Sequence, residues 1–414
     1  MNEAKQKFRL TGLERAWILY DVGNSAFVLL VATLIPIFFN ALAEGGGLSS
    51  VEYLAYWGYA ASAVTVITAV LSPILGTLAD TRNFKKPIFT FCVAVGVIGC
   101  CAMGMASTWL PFLLIFIFAK VGFSGSLVFY DSMLSDVTVP DRMDEVSSKG
   151  YAWGYIGSCV PFVVCLALVL GAGSVGISQM KALNLALFIT AAWWLVTTLP
   201  LLRQYKQVHF VEVQEHAIRQ SFARIGHTLR HLKEDRQVFW FLLAFFCYID
   251  GVYTIIDMAT AYGTALGLDT TGLLLALLVT QIVAFPSALV FGRLSGQYPS
   301  GTLIPVCIAA YAGIALFAFF LKHQWQFWVL AVVVGMFQGG IQALSRSHFA
   351  KIIPPEKSGE YFGLFDICGK GASFLGTMIV SVGSQLTGSA NVGVGSLIVL
   401  FIVGFVLFRV SDQK

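Results

Sequence analysis

Charged residues are scarce in this sequence of 414 residues. Asp, Glu, Lys and Arg together make up 12% of it, whereas hydrophobic residues make up 57%. Soluble domains carry about 25% charged residues, so this composition excludes an ordinary soluble protein and favours the integral membrane class. The formal net charge of +4 is too small to indicate a nucleic-acid binder, and we expect no nucleic-acid partner.

Patterns typical of metal sites and of catalysis are missing as well. The eight cysteines lie in or beside apolar runs without C-x-x-C spacing, so we interpret them as small apolar side chains. No H-E-x-x-H occurs and no His lies deep in an apolar run, which argues against an intramembrane enzyme. GLFDICGKG (363–371) only imitates a phosphate loop, because no Ser or Thr follows its Gly-Lys. The sequence therefore predicts no enzyme, no metal and no other cofactor.

Long apolar runs, by contrast, occupy most of the chain. About 20 apolar residues cross the ~30 Å hydrocarbon core of a bilayer, and twelve stretches approach or exceed that length. We predict an all-α integral membrane protein with two pseudo-symmetric six-helix halves, residues 1–202 and 238–414, joined by a linker at 203–237. The predicted spans are 14–43, 53–79, 87–107, 110–135, 150–172, 182–202, 238–262, 270–292, 302–321, 325–349, 360–386 and 392–409.

The basic residues indicate the orientation of these spans. If the N-terminus is cytoplasmic, 23 of the 26 Lys and Arg residues fall in cytoplasmic segments and two fall outside. The positive-inside rule therefore predicts that both termini are cytoplasmic. The first span is too long for a removable signal peptide and lacks a small-residue cleavage site, so we retain it as a membrane helix.

The linker carries its own helical pattern. Apolar residues recur along it at spacings of 7, 4, 3, 4 and 3, with arginines elsewhere around the helix. This predicts an amphipathic helix at the cytoplasmic membrane surface. The apolar positions are Val211, Ile218, Phe222, Ile225, Leu229 and Leu232.

The loop between spans 2 and 3, GTLADTRNFKK (76–86), resembles the loop motif of the major facilitator superfamily. Gly76 permits close helix packing, and Asp80 can accept a basic partner or the positive N-terminal end of another helix. Asn83 stands where the motif has Gly, and Asn tolerates a left-handed backbone better than other non-glycine residues. We predict that this loop belongs to a cytoplasmic gate, together with its basic residues Arg82, Lys85 and Lys86.

Polar residues within the spans are candidates for function, because a charge at a helix centre costs about 2.5–3.5 kcal/mol on insertion scales. Lys120 and Asp250 lie near the midplane and belong to opposite halves, so an ion pair between them could form in one state and break in the other. In the major facilitator arrangement spans 1, 4, 7 and 10 line a central cavity. We predict a substrate and ion pathway formed by Asp21, Asn24, Lys120, Ser124, Asp250, Asp257, Gln338 and Gln342.

Other charged residues lie near the predicted cytoplasmic ends of the spans. Asp366 and Lys370 are four residues apart, so we expect them to neutralise one another as a packing or gating pair. We assign Asp131, Asp136 and Arg346 to the gate rather than to the substrate.

Three blocks of the sequence carry a more specific resemblance. They are YDVGNSAF (20–27), FYDSMLSD…GYAWGYIG (129–157) and GGIQALSRSHFAKIIP…GEYFGLFDICGKGASFLG (339–376). The chain resembles the UMF1, or Atg22-like, family of the major facilitator superfamily over essentially its whole length. The resemblance implies a transporter and, for the fungal vacuolar member, export of amino acids.

We therefore expect a secondary active transporter that works by alternating access on a small polar or zwitterionic, amino-acid-like solute. Efflux coupled to protons through Asp250, or else Asp21, is one possibility, and facilitated diffusion is the other. We expect a multi-pass monomer in contact with membrane lipids, in a bacterial cytoplasmic membrane. Two alternatives stay open: a multidrug or lipid-like efflux transporter, and a receptor or scaffold that transports nothing.

Overall fold

The computed structural model describes residues 9–212, 230 and 232–412, except for the side chains of a few residues within helices, 370–374 among them. The described chain is almost entirely helical. Its α-helices are α1 (Gly12–Ala32), α2 (Leu34–Gly45), α3 (Ser50–Ala79), α4 (Lys85–Met103), α5 (Trp109–Ser132), α6 (Leu134–Val137), α7 (Pro140–Leu170), α8 (Gln179–Gln204), α9 (Arg236–Ala265), α10 (Thr270–Leu294), α11 (Ser300–Phe319), α12 (Gln324–Ile352), α13 (Ser358–Thr387), α14 (Ala390–Gly395) and α15 (Ile398–Ser411).

Two helix starts are fixed by local sequence. Thr11 and Ser49 each accept a hydrogen bond from the backbone N–H three residues on. In turn, the carboxylates of Glu14 and Glu52 accept a hydrogen bond from the backbone N–H of the capping residue. These reciprocal capping boxes satisfy amides that a helix N-terminus otherwise leaves without partners.

The first predicted span is interrupted near its middle. Thr33 leaves the helical conformation, with φ −133° and ψ −77°, and separates α1 from α2. Pro36 explains the break, because proline lacks an N–H and its ring clashes with the carbonyl four residues earlier, that of Ala32. The hydroxyl of Thr33 donates to Leu29 O at 2.5 Å and satisfies one of the freed carbonyls.

The structure confirms the predicted fold class. Eleven helical segments within the described residues are long and apolar enough to cross a membrane, with α1 and α2 counted as one segment and α14 and α15 as another. Helix α13, with 30 residues, completes the set of twelve predicted spans. Helices α1–α8 form one half and α9–α15 the other.

We name the side on which α1 begins and α15 ends the terminus face. Because consecutive spans alternate in direction, α3 and α5 end at this face, and α7 and α13 begin there. The two halves meet through α3 against α13, and through α7 against α10 and α12.

The first residues of the linker pack on the terminus face. Val211 pairs with Thr81 in an isolated β-bridge, and the amide of Gln207 donates to Ala79 O at 3.0 Å. The amphipathic helix predicted for the linker falls largely on residues 213–229 and therefore lies outside the described residues.

Candidate functional site

Glycines allow the two halves to touch backbone to backbone at the terminus face. A β-carbon added at Gly359 of α13 would lie only 2.5 Å from Gly76 O of α3. One added at Gly363 would lie 2.7 Å from Ser72 O. Side chains cannot occupy such gaps, so these helices approach closely only because glycine stands at both positions.

Asp80 closes the end of α3 against the start of α13. Its two carboxylate oxygens accept hydrogen bonds from the backbone N–H groups of Gly359 (2.7 Å) and Glu360 (2.8 Å). This places a negative charge at the positive end of the α13 dipole. Burial raises the pKa of Asp80 to about 6, although Lys85 and the two amides favour the ionised form. The ionised carboxylate therefore depends on partners from the other half.

Lys85 lies at the centre of the same contact and is fully buried. Its ammonium group donates to Ser358 Oγ of the second half at 2.8 Å. It also lies 3.7 Å from Asp80 and 3.9 Å from Asp136. A buried lysine of this kind needs paired carboxylates, and here they come from two different segments of the first half.

Asp136 holds the linker rather than bonding directly to the second half. It accepts hydrogen bonds from the Tyr205 hydroxyl (2.5 Å) and the His209 backbone N–H (2.9 Å). Nearby, Arg82 pairs with Glu212 at 3.3 Å, and Lys86 is half-buried. Of the motif's basic residues, Lys85 carries the described bond between halves, whereas Arg82 binds the linker. Asn83 has φ 66°, the left-handed conformation that the motif predicts.

Arg346 of α12 is the most extensively coordinated charge between the halves. Only 2% exposed, it donates from Nη1 to Asp131 Oδ1 at 3.0 Å and from Nε to Ser147 Oγ at 2.9 Å. Nη2 donates to the Ser147 carbonyl at 3.0 Å. Its guanidinium carbon also lies 4.3–5.3 Å from the centres of three aromatic rings, those of Tyr151, Trp17 and Tyr130.

Asp21, predicted for the substrate pathway, belongs to the surroundings of Arg346. Its Oδ2 lies 3.8 Å from Nη1 of the arginine, beyond hydrogen-bond distance, and Oδ1 accepts from Asn24 at 3.4 Å. Asn24 also donates to Tyr20 O and is buried. Both residues therefore lie within the closed part of the structure, around Arg346.

A second ion pair joins the same helices closer to the terminus face. Asp144 of α7 accepts from Lys351 Nζ and from Ser347 Oγ of α12, each at 2.6 Å. Sequence reasoning missed this contact, because it treated Lys351 only as a loop charge. The spacing of four between Ser347 and Lys351 was the available signal, since it places both side chains on one helix face.

Two charges lie toward the opposite face. Lys120 of α5 is half-buried, and its ammonium lies 4.6 Å from the Phe123 ring centre and 6.0 Å from that of Phe27. Asp257 of α9 is exposed, and the charge of Lys120 acts on it. The two charges belong to different halves of the protein.

Asp250 has a different environment from the one predicted. Its Oδ1 accepts from the backbone N–H of Gly376 in α13 (2.8 Å) and from Thr254 (3.3 Å), and the residue is fully buried. Sequence reasoning paired it with Lys120. The structure gives Asp250 the backbone of α13 as its partner, and places Asp257, two turns further along α9, within electrostatic reach of Lys120.

The remaining predicted residues are distributed along the interface. The Tyr155 hydroxyl of α7 donates to Gln342 of α12 at 2.6 Å, and Ser72 donates to Asp366 at 2.7 Å, so both contacts cross between the halves. Gln338 and Ser124 are buried. The side chain of Lys370 lies outside the described residues, so the predicted pair of Lys370 with Asp366 stays a prediction.

Two six-span halves that meet around buried charges at one face have the fold of the major facilitator class. Solved structures of that class share the fold. The human organic anion transporter MFSD10 matches with a TM-score of 0.72 at 13% identity, covering 96% of this chain and 98% of that one. The transporter FucP in its outward conformation also scores 0.72, at 17% identity, covering 97% and 98%.

The family follows from the sequence itself. The profile of the family described as "Vacuole effluxer Atg22 like" matches residues 13–141 and 135–414. The MFS-type transporter YxiO of Bacillus subtilis (strain 168) is 42% identical over 411 residues, covering 98% of this chain and 96% of its own length. This chain belongs to the Atg22-like family of the major facilitator superfamily.

Fungal relatives are more distant. Autophagy-related protein 22 of Coccidioides immitis (strain RS) is 25% identical over 315 residues, covering 65% of this chain. That alignment spans 51% of the fungal protein, so the chain corresponds to about half the length of this relative.

Proposed function

We propose that this protein moves a small zwitterionic solute, such as an amino acid, across the membrane by alternating access. The observation that supports this most directly is the pair of opposite charges Lys120, from one half, and the exposed Asp257, from the other, which we place on an open space away from the terminus face. A zwitterion offers a carboxylate to the lysine and an ammonium group to the aspartate. Because the two charges belong to different halves, a solute that binds both would draw the halves together on the open side.

The contacts at the terminus face support the conformational part of the proposal. These contacts are the glycine packing and the hydrogen bonds and ion pairs of Asp80, Arg346 and Asp144. Each joins groups from both halves, so all of them must break when this face opens. We propose that the terminus face is cytoplasmic, that the structure is open to the outside, and that the protein is a monomer in a bacterial cytoplasmic membrane. The family's description as an effluxer favours export.

The two charges make a testable prediction about ligand binding. In a thermal-shift screen against amino acids, peptides, sugars and drugs, amino acids are expected to raise the unfolding midpoint of the purified protein. Lys120→Ala and Asp257→Asn should each weaken that binding at least tenfold, which corresponds to about 1.4 kcal/mol.

Lys181→Ala and Glu44→Gln are matched controls, since both residues are exposed away from the site. They should bind the ligand as the wild type does. If uncharged lipophilic compounds were the only ligands, the zwitterion assignment would be wrong and multidrug or lipid-like efflux would replace it. A protein that binds a ligand but never moves it would instead be a receptor.

We further propose that transport is coupled to protons through Asp250. This carboxyl group is fully buried, and its Oδ2 has no hydrogen-bond partner among the described residues. Burying a carboxylate with one oxygen lacking a hydrogen bond costs more than burying the neutral acid. A side chain in this position can therefore exist in a protonated form in one state and lose its proton when its surroundings change.

Asp250→Asn is expected to abolish accumulation driven by a pH gradient while preserving exchange of substrate across the membrane, because exchange does not require release of the proton. Thr254→Ala serves as the control, since it removes a donor to Asp250 and keeps the carboxyl group. Both activities would be measured in proteoliposomes. If Asp250→Asn still accumulated substrate in response to a pH gradient, Asp250 would not be the coupling site.

A further inference from the structure

The residues around Arg346 form a receptor for a cation, and all of them belong to the other half of the protein. We call this group the cage: Trp17 and Asp21 of α1, Tyr130 and Asp131 of α5, and Ser147 and Tyr151 of α7. Arg346 reaches it from α12 in the second half. One half therefore supplies the site and the other half supplies its occupant.

The cage has internal contacts that do not involve Arg346. The rings of Trp17 and Tyr130 stack with their centres 4.3 Å apart, and the indole N–H of Trp17 donates to Tyr130 O at 2.9 Å. Tyr20 lies 4.7 Å from Tyr130 and is hydrogen-bonded to Ser126 of the same half. The contacts between Trp17 and Tyr130 thus come from α1 and α5 and do not include the arginine.

The carboxylates of the cage depend on Arg346 for charge compensation. Asp21 is 6% exposed and its Oδ2 lies 3.8 Å from Nη1 of Arg346, and Asp131 Oδ1 accepts a hydrogen bond from the same nitrogen at 3.0 Å. Without the arginine, two carboxylates would remain beside each other among apolar rings. That arrangement is costly unless another cation replaces the missing one.

We propose that the cage is a binding site for organic cations with a planar guanidinium group, occupied by Arg346 in this state and vacated when the terminus face opens. The inference rests on the proposed alternating access, since only separation of the halves withdraws α12 from the cage. In that state Arg346 no longer occupies the cage, and a solute from the terminus side can bind there instead.

The geometry favours guanidinium over other cations. Its flat, weakly hydrated surface stacks on aromatic rings, and its N–H groups donate to Asp131 and Ser147. An alkali ion has no N–H groups to donate to Asp131 and Ser147. A neutral molecule of the same shape, such as urea, offers the hydrogen bonds but not the charge that two carboxylates require.

Chemical rescue of Arg346→Ala tests the site itself. Millimolar guanidinium or methylguanidinium is expected to restore at least half of the loss in unfolding midpoint caused by the substitution. Urea and sodium chloride at the same concentration should not. The rescue should disappear in the double variant Arg346→Ala, Asp131→Asn. If Arg346→Ala cannot be purified, Arg346→Gln provides the same test with a neutral occupant.

Two results would overturn the assignment. One is a stabilisation of Arg346→Ala by guanidinium that is not specific: sodium chloride or urea produces the same stabilisation, or guanidinium stabilises the exposed-site variant Arg293→Ala equally. The other is full recovery of Arg346→Ala by acidification with no further effect of guanidinium, since the carboxylates of the cage would then take up protons instead of an organic cation.

A second arm tests whether the native cage becomes vacant. Gly76→Ala keeps Arg346 but is expected to prevent closure of the terminus face, so methylguanidinium should raise its unfolding midpoint. The wild type and Gly58→Ala should not respond. Equal responses of Gly76→Ala and the wild type would contradict the vacated state. These measurements involve no amino acid, so they can be interpreted even if the zwitterion assignment fails. Conversely, zwitterion transport without rescue by guanidinium would reject the cage proposal and leave the proposed function standing.

Discussion

Arg346→Ala is expected to abolish transport and to lower the free energy of unfolding by about 3–5 kcal/mol, the usual cost of removing one partner from a buried ion pair. The reason is geometric. Arg346 compensates Asp131 directly and Asp21 at longer range, and it satisfies two acceptors of Ser147. Removing it leaves carboxylates buried among aromatic rings, and it also removes the main polar contact that holds the two halves together at the terminus face.

Thermal unfolding of the purified variant and flux in proteoliposomes would measure the two effects. Arg293→Ala is the matched control, because Arg293 lies at the same face at the end of α10 and is exposed. It should change both quantities little. An Arg346→Ala protein with wild-type stability and flux would show that the cage contributes nothing to gating.

Gly76→Ala is expected to have the second large effect, by preventing the terminus face from closing. The new β-carbon would lie 2.8 Å from the carbonyl carbon of Gly359 and closer still to its oxygen. Both are backbone atoms, so no side-chain rotation relieves the clash, and α3 and α13 must move apart. The hydrogen bonds from α13 to Asp80 would then lengthen and break.

Spin labels at Phe84 and Glu356 would report this change, since both residues are exposed at the terminus face on opposite halves. In a background freed of native cysteines, the distance distribution of Gly76→Ala should shift to longer values. Gly58→Ala is a close control, because it makes the same substitution in the same helix where nothing lies within 4 Å of the added carbon. Identical distributions for the two variants would contradict the proposed closure.

Local sequence was sufficient to predict the spans and the left-handed Asn83. It also pointed to a helix N-terminus as a partner for Asp80. These features depend on neighbouring residues or on a short motif with a defined geometry. Hydrophobic length alone separates twelve spans, because the bilayer imposes one length on all of them.

The cage could not be predicted from sequence, because its members come from α1, α5 and α7 and its occupant from α12. Nothing local reveals that Tyr151 and Trp17 face the same guanidinium. Asp250 and Asp257 show that sequence periodicity also fails to predict side-chain environments within one helix. A spacing of seven places them nearly on one face, but two turns of rise move the second from a layer packed against α13 to the open space. Depth and neighbours, not periodicity, separate their environments.

The central claim is that the halves alternate around a small zwitterion, and counterflow in proteoliposomes tests it most directly. Vesicles loaded with an unlabelled amino acid identified by the thermal-shift screen would be diluted into a trace of the labelled compound. We predict transient accumulation of label by the wild type and by Gly58→Ala, and none by Gly76→Ala or Lys120→Ala. Equal uptake into protein-free vesicles, or undiminished counterflow in Gly76→Ala, would contradict this account.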